Sequence, residues 1–97
     1  MRPVTFADLE TVMRAVMMVP YRDRAALLSR LIADARLADA YRERTGAFHP
    51  RNGSGTLMSV ALRYPLAPRP YCCSKECIEV LLMILNGLEG YVGDQEN

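Results

Sequence analysis

At 97 residues, with a formal net charge of +1 and 51% hydrophobic residues, the chain has the size and composition of one globular domain. This balance excludes the low-hydrophobicity, high-charge signature of disorder and gives no global pull toward nucleic acid or anionic lipid. Three cysteines, an odd count, do not make a disulfide framework, so a reducing cytoplasm is the expected compartment.

Asp8 and Glu10 interrupt the apolar stretch a secretory leader would need, and none is expected. Thr5 reads as a helix N-cap with Asp8 three residues on, and Leu9, Val12, Met13, Val16 and Met17 recur at helical spacing. A first helix is predicted over Phe6 to Met18, closed by Pro20. Tyr21 to Thr45 follows as a long amphipathic helix whose apolar face carries Leu27, Leu28, Leu31, Ile32, Ala35, Ala38 and Tyr41. Gly46 is its expected left-handed C-terminal cap, with Arg42 and Arg44 in the last turn.

Ala47 to Gly55 reads as a loop, with a His-Pro pair and an Asn52-Gly53 turn signal. Ser54 or Thr56 caps a short third helix running through Leu57, Val60, Ala61 and Tyr64, which Pro65 ends. Pro65, Pro68 and Pro70 make the next connection stiff and extended. It contains a Pro-x-x-Pro pair, read as a rigid linker rather than a docking motif.

Ser74 caps the last helix, predicted over Lys75 to about Asn86 with Gly87 as its stop. Its longest apolar run, Val80 to Leu85, is six residues, far short of the roughly 20 that span a bilayer. Only Glu79 interrupts an otherwise apolar circumference, so this helix needs enclosure, either at the centre of the domain or against another copy of the chain. A strand is the competing reading of so short an apolar run, but no partner strand is evident. The expected fold is all-α: a small orthogonal or bundle-like array of about four helices with a central apolar C-terminal helix. Residues 1–90 form the single domain and 91–97 a frayed tail.

Charge is uneven along the chain. Between Arg42 and Arg69, five arginines face the single acid Glu43, whereas from Cys72 onward five acids face only Lys75. The stretch from Arg42 to Leu57 is therefore the candidate site. Arg42, Arg44, His49 and Arg51, with Ser54 and Thr56 leading into a helix N-terminus, suit a phosphate, a carboxylate or nucleic acid. The lysine of a Walker loop is missing and the glycine spacing differs, so nucleotide binding of that type is not expected.

Cys72, Cys73 and Cys77 with His49 are the available metal ligands, yet no Cys-x-x-Cys knuckle is present and no metal is assigned. Inert packing is the simpler reading of these thiols; a lowered thiol pKa near Lys75 is the reactive one. His49 is the only histidine, so any Cys-His or Ser-His-acid arrangement must use it, and it has no visible orienting partner. A structural role, tying loop backbone together, is preferred. The six methionines read as adaptable core filling. No catalytic residue and no cofactor is assigned.

The opening Met-Arg-Pro-Val-Thr with Asp8, the Val19-Pro20 break, the stretch from Ala38 to Gly46, His49-Pro50 and the stretch from Gly53 to Met58 resemble short uncharacterised proteins of Rhodobacter-like alphaproteobacteria. The resemblance covers roughly the first 60 residues. It implies a cytoplasmic bacterial protein and carries no activity or catalytic residue with it.

Three functions remain in play. The leading one is a non-enzymatic helical interaction protein, as a homodimer or with another protein partner and away from membranes. The second is a binding module for a phosphate-bearing ligand or nucleic acid through the 42–57 loop. The third is a cysteine- or metal-dependent enzyme.

Overall fold

A computed structural model describes residues 1–69 and 74–96. The elements follow in the order α1 (Phe6–Val16), a 3-10 turn (Tyr21–Asp23), α2 (Arg24–Thr45), α3 (Leu57–Ala61) and α4 (Lys75–Glu96). The fold is all-α, four helices with no strand among the described residues; the sole bridge joins His49 to Gly53 inside a loop.

The caps form where local chemistry places them. Thr5 and Asp8 make a reciprocal capping box, Thr56 accepts the Ser59 amide at the start of α3, and Ser74 Oγ accepts the Cys77 amide at 3.1 Å at the start of α4. Gly46 ends α2 in the left-handed region at φ 74. Helix ends differ more from expectation. α1 stops at Val16 rather than Met18, because the amides of Met18 and Val19 turn to i−3 carbonyls on the approach to Pro20. Tyr21–Asp23 is a 3-10 turn rather than the first turn of α2. α3 likewise ends at Ala61, with Arg63 and Tyr64 bonded to i−3 carbonyls before Pro65.

α4 departs furthest from the sequence reading. It continues through Gly87 and Gly90 to Glu96, across the segment expected to fray. Gly87 is not a stop: a Cβ built there would lie 2.8 Å from Leu28 Cδ2, so its missing side chain lets α4 approach α2 closely.

The core is drawn from all four helices: Val12 and Val16 of α1, Leu28, Leu31 and Ala35 of α2, Leu57 and Val60 of α3, and Val80 and Ile84 of α4. The central place expected for the C-terminal helix belongs instead to α1, which packs on α2, α3 and α4 and buries six of its eleven residues. α4 meets α1 and α2 but not α3. Cys77, Val80, Ile84 and Leu88 form its buried face, while Ile78, Leu82 and Leu85 stay 49, 54 and 43% exposed. Among the described residues, enclosure on every side is not reached, because the short α3 does not extend the cover that α1 and α2 give this 22-residue rod.

The proline-rich connection is tied to α1. Arg14 Nε donates to the Ala67 carbonyl at 2.7 Å, and the Ala67 amide donates to the Arg14 carbonyl at 3.0 Å. Among the described residues no helix is long and apolar enough to cross a membrane.

Candidate functional site

The loop between α2 and α3 is ordered by its own side chains. His49 Nδ1 accepts the amides of Arg51 and Asn52 at 3.1 and 3.0 Å, while the backbones of His49 and Gly53 exchange bonds at 2.9 and 3.0 Å. This is the backbone-tying role expected of the sole histidine. With Nδ1 acting as acceptor, the neutral ring carries its proton on Nε2. The ring also meets Tyr41 edge-on, with centroids 5.0 Å apart. Asn52 is buried; its Oδ1 accepts from Arg63 at 2.6 Å and its carbonyl accepts the Ser59 hydroxyl at 3.1 Å. Gly55 has φ +95, and a Cβ there would come within 2.9 Å of the Asp39 backbone, so the loop lies flat on α2.

The N-terminus of α3 is already occupied from inside. Asp8, 3% exposed, accepts the Met58 amide at 2.9 Å through Oδ1, while its Oδ2 accepts the Thr5 amide and hydroxyl at 2.8 and 3.0 Å. One buried carboxylate thus serves the N-termini of two helices, where its negative charge suits both dipoles.

The six residues grouped by sequence are not gathered at one point: Arg42, Ser54 and Thr56 are linked to one another, and Arg44 and His49 both meet Tyr41. Arg42 donates to the Ser54 carbonyl at 3.1 Å and lies over the Phe48 ring at 4.9 Å. Arg44 lies over Tyr41 at 5.5 Å. The Ser54 and Thr56 hydroxyls bond to each other at 3.1 Å, and Thr56 is the α3 cap. His49 and Arg51 share an open cleft of about 440 Å³. Arg30, Asp34 and Leu37 of α2 join them there, together with Arg63 and Tyr64 beyond α3. Arg30 by itself carries no sequence mark of a site residue, and Arg63 stands out only through the local charge surplus. A signal was present for the α2 contribution, since positions 30, 34 and 37 line one edge of the helix, flanking its apolar face.

Cys77 is buried, with its Sγ 3.5 Å from Met13 Sδ, in the setting of a packing thiol. Cys72 and Cys73 lie outside the described residues. Among the described residues no three His, Cys, Asp or Glu side chains gather as a metal site. A second concavity, about 500 Å³ and mostly apolar, lies between the start of α2 and α4, lined by Tyr21, Arg22, Arg24, Ala25, Val80 and Met83 with Glu79. Arg24 also bridges these elements, 2.8 Å from Glu76.

The family model described as a domain of unknown function (DUF7742) matches residues 2–88. The chain belongs to that family. The matched span takes in every buried hydrophobic residue from Val12 to Leu88, and so the whole core of the fold. No curated protein and no solved structure matches the chain.

Proposed function

We propose that this chain is a small non-enzymatic interaction protein that pairs with a second copy of itself along the outer face of α4. The observation that carries the reading is the exposed stripe Ile78, Leu82 and Leu85 on one helix. Large apolar side chains scattered singly need no explanation, but three at positions 78, 82 and 85 make a continuous seam of the kind two helices share.

The ends of the seam favour a second copy over an unrelated partner. Lys75 and Glu89 extend the same alternating three-and-four spacing and stand seven residues either side of Leu82. An antiparallel two-fold arrangement centred near Leu82 sets Lys75 of each chain beside Glu89 of the other, a self-complementary pattern. Lys75 is free to make that exchange, because its bond to Glu79 is a long 3.9 Å contact between exposed side chains. A seam of this size is below a standard protein interface, so the pair is a dissociable dimer. A reducing, cytoplasmic setting belongs to the same proposal, supported by the free thiol of Cys77.

Sedimentation velocity over a concentration series tests it. Wild type is expected to move from monomer to dimer, and Leu82→Glu to remain monomeric while keeping its helical circular dichroism. Wild type that stays monomeric up to about 1 mM, the point at which pairing is worth only about 4 kcal/mol, removes the reading.

A further inference from the structure

We infer that the cleft between α2 and the His49 loop binds a small organic anion, and that its chemistry fits a phosphate monoester. The site differs from the 42–57 loop as read from sequence and does not depend on pairing through α4. Three arginines from separate parts of the chain, Arg30 on α2, Arg51 in the loop and Arg63 after α3, line a cleft of about 440 Å³. That volume is in the range of small-molecule sites.

The charges do not cancel. Asp34 is the one acid in the lining, its Oδ2 3.9 Å from Arg63, so three positive groups against one negative leave a surplus of two. A phosphate monoester carries a charge of about −1.5 to −2 near neutral pH, which matches this surplus. Arg63 is further committed by its 2.6 Å bond to Asn52, which fixes it as a wall of the cleft. The Arg30 and Arg51 guanidiniums have no hydrogen-bond or ion-pair partner among the described residues, so two planar forks are left to grip the oxygens. His49 adds a donor, because Nδ1 is spent on two loop amides and the remaining ring proton sits on Nε2. Leu37, 56% exposed, and the Tyr64 ring supply an apolar flank for the organic part of the ligand.

His49 is the only histidine, so its ring resonances report on this site alone. The test is an NMR titration of the intact protein with phenyl phosphate, inorganic phosphate and phenol, in low salt. Phenyl phosphate is expected to shift the His49 ring signals saturably and to bind more tightly than inorganic phosphate, while phenol leaves them unmoved. Arg30→Ala and Arg51→Ala should each weaken phenyl phosphate by about tenfold, the loss of a charge-assisted bond, whereas Arg44→Ala, whose guanidinium lies over Tyr41, should not. The inference is overturned by phenyl phosphate that produces no saturable shift, by phenol that binds as well, or by affinity that survives the Arg30→Ala, Arg51→Ala double substitution. Both positions are exposed and outside the core, so amide spectra of the variants are expected to stay folded.

Discussion

Asp8 Oδ1 and the Met58 amide meet at 2.9 Å across fifty residues of chain, and that bond ties the start of α1 to the start of α3. The same carboxylate closes the α1 capping box through Thr5. Removing it leaves three donors in part-buried positions without their acceptor. Asp8→Ala is therefore expected to cost about 3 kcal/mol, and Thr5→Ala, which removes one hydroxyl, about 1 kcal/mol. Asp8→Asn should recover little, since it sets an NH2 group against N–H donors. Urea unfolding of the three variants measures this; an Asp8→Ala cost no larger than that of Thr5→Ala would show that the link to α3 contributes nothing.

The glycines divide by what surrounds them. Gly90 lies in α4 with nothing within 4 Å of a new Cβ, so Gly90→Ala should stabilise the protein by about 0.5–1 kcal/mol through helix propensity alone. Gly87→Ala gains the same propensity but must displace Leu28, and should fall short of Gly90→Ala. Gly55→Ala faces both a positive φ and the Asp39 backbone, and is expected to lose about 1–3 kcal/mol. Thermal melts that rank the three in another order would contradict this account of the α2 to α4 and loop to α2 approaches.

His49 acts in the loop as a side-chain acceptor, a task asparagine can also perform in turns. His49→Ala should lower stability by about 1–2 kcal/mol, through the loss of two amide partners and the edge contact with Tyr41, and His49→Asn should restore part of the loss. Amide exchange at Arg51 and Asn52 checks the mechanism directly. Protection there that is unchanged in His49→Ala would show that the imidazole does not hold the loop.

If α4 pairs with its copy in antiparallel register, Lys75→Glu and Glu89→Lys should each weaken the dimer by placing like charges together. The double variant should return toward wild-type affinity, with each exposed pair worth about 0.2–1 kcal/mol. A parallel seam predicts no such recovery, so dissociation constants for the four proteins decide the register.

Much of the candidate cleft was hidden from the sequence because its parts come from distant segments. Arg51 and His49 stand out beside a glycine-rich loop, but Arg30 reads as one more polar residue on an amphipathic helix until α2 is laid under that loop. Arg42 and Arg44 looked like site residues for the converse reason. Their spacing put them near His49, while the fold employs them on the Ser54 carbonyl and on the rings of Phe48 and Tyr41. The exposed stripe on α4 was partly legible: its excess of apolar residues was plain, but not which of them would stay outside.

Residue order alone settled where α1 and α4 begin, narrowed the start of α3 to Ser54 or Thr56, and showed that the fold would be helical, because a cap such as Thr5, Thr56 or Ser74 bonds to an amide three residues away and owes little to anything farther off. The same locality let Gly46 end α2. Packing decided the rest. Whether Gly87 ends a helix or admits a neighbour depends on Leu28, almost sixty positions earlier, and which arginines share a cleft depends on how α2 lies beneath the loop. Those outcomes follow from excluded volume and buried area between distant segments, which become defined once the chain is folded.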